Sequence, residues 1–309
     1  MMMFRENPNE KQSSRKVIRC FEEDIGYFYD FYNSLYTKMF IDDLSQNIMP
    51  MRANFDIRIE PSSNEVEELI KLALSNPYEE PQNIKLQNIT EVVCDFIKIA
   101  AHNLACYGKA YYEIVYFYTD EKKQKIDSFA FENIPNHCIK EIIGFYWQYI
   151  PQKIEEQKIN IKRFNWIPKN NILVLCIPKQ LGGVRKFRKL VAHLQCLSKH
   201  NILKEENIEF FLAKETSQLG WTARGMFNKK VLEFYQNYRY LKFELTKAVL
   251  REYIIHRLNY ILEKIGRELG FNAKIIMEGT PSSQDYKNYV DKLLEGSLQF
   301  SEVFKLKMS

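Results

Sequence analysis

Apolar residues along this chain follow two rhythms, one with spacings of three and four and one that alternates. The first rhythm opens at Val17–Phe40, where recurring aromatics predict one helix or two. Residues 53–61 (ANFDIRIEP) alternate and predict a strand. Residues 62–78 predict a helix with a serine cap, acidic residues in its first turn and an Asn-Pro stop. Residues 88–108 predict the next helix, with Thr90 as N-cap and Val93, Phe96, Ile97, Ala100, Leu104 and Tyr107 on one face. Gly108 is the expected left-handed residue that closes it.

Two aromatic runs then flank a charged turn at Asp120–Lys125, the pattern of a β-hairpin. GFYWQYIP predicts a third strand and NILVLCIP a fourth, apolar throughout and therefore buried. Gly182 and Gly183 lead into a helix whose apolar stripe is Val184, Phe187, Leu190, Val191, Leu194 and Leu197. Residues 201–228 are less regular, with Gly220 and Gly225 around Trp221. From Lys229 to Leu269 no proline interrupts the 3/4 spacing, which predicts a helix of roughly 60 Å. A short strand (AKIIMEG), a serine-capped helix ending at Gly296 and one more helix start complete the chain.

This order predicts an α+β fold with a small mixed sheet and packed helices. Residues 1–15 are expected to be a mobile tail and residues 16–180 an α+β domain. Residues 181–229 hold a basic helix and a short segment; residues 230–309 hold the long helix and the C-terminal helices.

Composition narrows the class. At 309 residues with 46% apolar and 27% charged residues, the chain is expected to be a globular protein with a sizeable core. No run approaches the roughly 20 apolar residues of a membrane span, and the first residues lack the apolar core of a signal peptide. Six scattered cysteines without a CxxC pair read as free thiols and core fillers, not as a zinc site.

Charge is segregated. Phe21–Asp95 holds 15 acidic and 5 basic residues, whereas Lys158–Lys204 holds 11 basic residues and no carboxylate. Such a basic block is either a solvated face or a surface that meets phosphate. Its densest part is Arg185, Lys186, Arg188 and Lys189, largely off the apolar stripe of their helix, with Lys199 further along the chain.

The usual signatures of chemistry are missing: no Walker or dinucleotide glycine motif, no HExxH and no GxSxG. The Gly182–Gly183 pair before a helix reads first as a helix-start turn, and only secondarily as an anion cradle. The five histidines (His102, His137, His193, His200, His256) are isolated, and Asp95 and Lys98 only faintly echo a nuclease pair. No catalytic residue, metal or cofactor is expected.

The stretch from Val92 to Pro135 resembles the N-terminal part of tailed-phage portal proteins. There too a helix ends in a Tyr-Gly turn, an aromatic strand follows, and a return strand ends near a proline. The matching positions are Tyr107, Gly108, Ala110, Tyr111, Glu113, Ile134 and Pro135, with Lys109 in place of a small polar residue. Residues 166–197 are similar to the portal segment that runs from a strand through glycines into a stem helix, with Cys176, Arg185 and Lys186 at comparable places. Near the end, Gly296, Leu298, Glu302 and Val303 are similar to the closing turn of portals, and Phe304 departs from it.

The resemblance spans roughly residues 50–200 and 250–305, and leaves few residues for the clip of that family. It implies a non-enzymatic homo-oligomeric ring of about twelve copies at one vertex of a virion, assembled in the host cytoplasm, through which double-stranded DNA is packaged and ejected. It also implies a capsid or scaffold protein, a terminase and a head–tail adaptor as partners, and no membrane. The basic helix would then face DNA or the acidic region of a neighbouring subunit. A nucleic-acid-binding module that forms no ring, and an enzyme of another class, remain the alternatives.

Overall fold

The computed structural model describes residues 12–13, 34–50, 55–75, 87–118, 126–149, 164–199, 211–222, 233–298 and 302–303. Residues 17–33 of the first predicted helix, the hairpin tip, Cys20, Gly225 and Phe304 lie outside them.

The architecture is α+β. Helix α1 (Leu35–Ser45) starts at Ser34, whose hydroxyl accepts from the Thr37 N–H, a cap the aromatic spacing concealed. Strand β2 (Asp56–Glu60) and helix α2 (Asn64–Leu74) follow as expected. Helix α3 (Ile89–Tyr107) is capped by Asn88 in a reciprocal box with Glu91, not by Thr90. Thr90 is used otherwise: its hydroxyl donates to the Ile57 carbonyl and accepts from the Ile57 N–H, which ties α3 to β2.

Among the described residues the strands form three sheets, and every pairing is antiparallel, where a mixed sheet was expected. In the largest, β3 (Lys109–Tyr118) pairs along one edge with β4 (Ile126–Ile134). Its other edge is shared by β8 (Ile172–Cys176) and by β1 (Gln12–Ser13), so part of the expected tail is an edge strand. A second sheet joins β2 to β9 (Lys274–Glu278) and brings distant parts of the chain together. The third comprises β5 (Ile139–Ile142), β6 (Phe145–Tyr149) and β7 (Phe164–Ile167).

The burial of β3 explains its aromatic run. Tyr112, Ile114 and Tyr116 face α3, where Phe96 lies 4.9 Å from the Tyr112 ring and 5.9 Å from Phe131. Tyr111 faces the other way and meets Tyr146 of β6 at 6.3 Å. With both faces covered, the strand needs bulky residues at every position.

Helix α4 (Gly183–Lys199) packs on α1, with Phe40 and Phe187 centroids 5.7 Å apart and the Ser34 hydroxyl donating to the Leu194 carbonyl. Helix α5 (Glu233–Leu269) runs 37 residues, about 55 Å. One side enters the main core through Leu250, Ile254, Leu258 and Ile261. Another meets helix α6 (Ser283–Leu294) through Leu241 and Ala248, which pack with Tyr286, Val290 and Leu293. Ser282 caps α6 in a box with Asp285, and Gly296 closes it at φ 74°.

Residues 211–222, in the segment between α4 and α5, are anchored in the core by buried Leu212, Leu219 and Trp221. Trp221 meets Phe40 edge-on at 5.3 Å, and its indole N–H donates to Asp43. Gly220, at φ 78°, sits so close to α5 that a Cβ would lie 2.6 Å from the Phe243 nitrogen.

Candidate nucleic-acid interface

The surface singled out by the sequence begins where the core ends. Strand β8 passes through the turn Lys179–Leu181 into Gly182 (φ 94°) and Gly183 (φ 68°), and α4 starts there. Phe187, Leu190, Val191 and Leu194 turn inward as their spacing required. Arg185, Lys186, Arg188 and Lys189 are all exposed on the opposite side. The side chain of Lys199 lies outside the described ones, as do Lys158, Lys162, Arg163 and Lys204.

The four cations are not equivalent. The Arg188 Nε donates to the Tyr107 carbonyl at 2.6 Å, at the C-terminus of α3. A guanidinium there satisfies a terminal carbonyl and opposes the negative end of the helix dipole. Its side chain also packs over Gly108, whose φ of 72° confirms the left-handed closure of α3. A Cβ at Gly108 would lie 3.2 Å from Val184 Cγ1 and 3.4 Å from Arg188 Cγ. Arg188 thus joins the two helices, whereas Arg185, Lys186 and Lys189 make no ion pair with a described residue.

Lys186 and Lys189 border a cleft of about 200 Å³ that α4 forms with residues 215–219. Inside it, His193 Nδ1 and Glu215 Oε2 are 2.7 Å apart. The 47-residue stretch without a carboxylate is therefore not isolated from acid: folding brings Glu215 alongside α4. What remains is a row of three free cations with one carboxylate at its border. Lysine and arginine so placed reach phosphates, which fix position and carry no base information.

Elsewhere, chemistry is sparse. Among the described residues no group of three His, Cys, Asp or Glu side chains could hold a metal ion. Asp95 and Lys98 form a half-buried pair at 3.4 Å within α3. Cys94, Cys106 and Cys138 are buried and form no disulfide, and burial, opposed by Lys98, pushes Cys94 up to about 11. His102 and His137 are held below the usual imidazole range by burial, so each favours the neutral form.

Three features escaped the sequence reading. Glu113 and Glu132 are buried directly opposite each other on β3 and β4. Arg239 is fully buried on α5, and donates to the Ala213 carbonyl at 2.8 Å, the Thr216 hydroxyl at 2.7 Å and the Trp221 carbonyl. Arg251 is buried too, and donates to the carbonyls of Ile48 and Pro281 at 2.9 and 3.1 Å. Burial lowers the proton affinity of both guanidiniums. The only signal for Arg239 was Gly220-Trp221, a small residue beside a large one in an irregular segment.

Compared with known proteins, the chain matches no protein-family model and no curated sequence.

Proposed function

We propose that this protein is a structural, non-catalytic ring subunit of the portal type, enclosing a channel for double-stranded DNA at the vertex of a phage or phage-derived particle. The observation that carries the reading is the unit built around Gly108. A helix closes there into an aromatic hairpin, and β8 returns beside that hairpin to launch a helix with an exposed cationic side. The same order of elements supports the resemblance noted in the sequence.

In this reading Arg185, Lys186 and Lys189 give weak, salt-sensitive attraction to passing phosphates. A few unpaired cations per subunit attract DNA without gripping it, since each added phosphate contact tightens binding and slows sliding. Arg188 holds the geometry of α4 against α3. Capsid or scaffold protein, terminase and a head–tail adaptor are the partners this role entails. A closed ring needs two different subunit faces to meet, and the acidic residues Glu65 and Glu68, exposed on α2, offer one charged face.

The test is the triple substitution Arg185→Gln, Lys186→Gln and Lys189→Gln. Rings of the variant should assemble as before, while DNA retention falls and its dependence on salt flattens. Loss of assembly with intact folding would assign these residues to the subunit interface instead. Unchanged retention would remove them from the channel.

A further inference from the structure

The third sheet has two unlike faces. Its back is core: Ile139, Tyr146 and Ile167 pack with Tyr111, Ile134 and Ile172. Its front holds Lys140 and Ile142 of β5, Phe145, Trp147 and Tyr149 of β6, and Phe164 and Trp166 of β7. The register sets these in rows across the strands: Ile142 beside Phe145, Lys140–Trp147–Trp166 in the middle, and Tyr149 beside Phe164. The large rings are open to solvent, at 55% for Phe145, 37% for Trp147, 53% for Phe164 and 49% for Trp166. Two tryptophans side by side on an exposed sheet face mark a contact surface.

Charge narrows what covers it. Lys140 is the one Lys, Arg, Asp or Glu among these seven side chains. Glu141, the carboxylate nearest in sequence, points to the other face and pairs with Lys109 at 3.1 Å. Lys169 is exposed just past β7, and β7 lies within the 47-residue stretch that has no carboxylate. Two copies pressed face to face would bury each Lys140 with no anion to meet it, at a large desolvation cost. A nucleic-acid strand suits both kinds of group: flat bases for the exposed rings and phosphates for the lysines.

We infer that this face is a stacking platform for single-stranded nucleic acid, with bases on Trp147, Trp166, Phe145 and Phe164 and the backbone along Lys140 and Lys169. Same-face side chains lie about 7 Å apart along a strand and about 5 Å apart across strands, which admits successive splayed bases. Duplex DNA hides its base faces and is not a ligand of this surface. The inference is independent of the ring-forming reading, which concerns duplex DNA and α4.

Tryptophan fluorescence tests it directly. Of the three tryptophans, Trp221 is only 1% exposed, so quenching by added ligand reports Trp147 and Trp166. Titration of the full chain with oligo-dT of about fifteen nucleotides should quench the emission, and less so as salt rises. The variant Trp147→Ala with Trp166→Ala should bind the oligomer, followed by anisotropy of a label on it, at least about tenfold more weakly. Trp147→Phe with Trp166→Phe should retain most of the binding, and Lys140→Gln should weaken it with a smaller salt slope.

Absence of quenching in the wild-type chain at low salt would overturn the inference, whatever the variants do. So would equal binding by the alanine variant, or equal quenching by a duplex of the same length. Loss of binding only in the triple Gln variant of α4 would assign single strands to that helix. If the tryptophan variants instead abolish self-association in sedimentation while oligomer binding persists, a second copy covers the face and the inference fails.

Discussion

Helices α4 and α5 both carry several cationic side chains, and the fold treats them in opposite ways. On α4, Arg185, Lys186 and Lys189 stand in solvent without an ion pair to a described residue. On α5, Arg239 and Arg251 are buried, and each holds carbonyl oxygens from other segments. The Arg239 partners lie where the short helix of residues 211–215 gives way to the Trp221 loop, and Ile48 lies just past the end of α1. Carbonyls left unpaired at such ends carry partial negative charge, and a guanidinium fork can satisfy several of them at once. A cation is therefore a sign of ligand binding only where the chain itself leaves it unused.

That contrast can be broken most severely from the α5 side. Arg239→Ala and Arg251→Ala should each destabilise by about 2–4 kcal/mol in urea unfolding, because each strands buried carbonyls and leaves a void. A loss below about 1 kcal/mol would mean that water replaces the guanidinium there.

Gly108→Val should come next. The left-handed φ and the 3.2 Å approach of Val184 both oppose a β-branched side chain, and about 1–3 kcal/mol should be lost. An unchanged melting temperature would mean that the α3–α4 junction relaxes freely.

Within α4, Arg188→Gln should cost about 1 kcal/mol through loss of its bond to Tyr107, whereas Arg185→Gln should stay within about 0.5 kcal/mol. Equal effects would erase the distinction between a structural and a free arginine.

The smallest effect is with pH. His102 has its folded-state proton affinity lowered by burial below the unfolded value of 6.5, so the unfolded chain takes the proton more readily. Its contribution is present above that value and is lost as pH falls through and below it. Stability measured from pH 7 to pH 5 should decline, and His102→Gln should flatten the decline. The same sign holds for His137.

Much of the fold was legible from spacing and caps. Gly108, Ser282 and Gly296 sit where their residue types required, and the stripe of α4 turned inward as its period demanded. Thr90 misled because Asn88, two residues earlier, forms the better reciprocal cap. β7 escaped notice because four residues are too few to display alternation. The burial of Arg239 on α5 was hidden because the residues that hold it, Ala213, Thr216 and Trp221, lie in a segment with no period of its own. For the candidate surface, the cations of α4 could be read directly. Glu215 could not, since it lies 26 residues past Lys189 and meets α4 only through the tertiary fold.

The central claim concerns assembly, and particle mass and symmetry decide it most directly. Negative-stain microscopy with light scattering, on the protein alone and with capsid or scaffold protein, should reveal closed rings of about twelve copies with a central channel. A monomer at every concentration, salt and partner condition, or an open aggregate without rotational symmetry, would contradict the account.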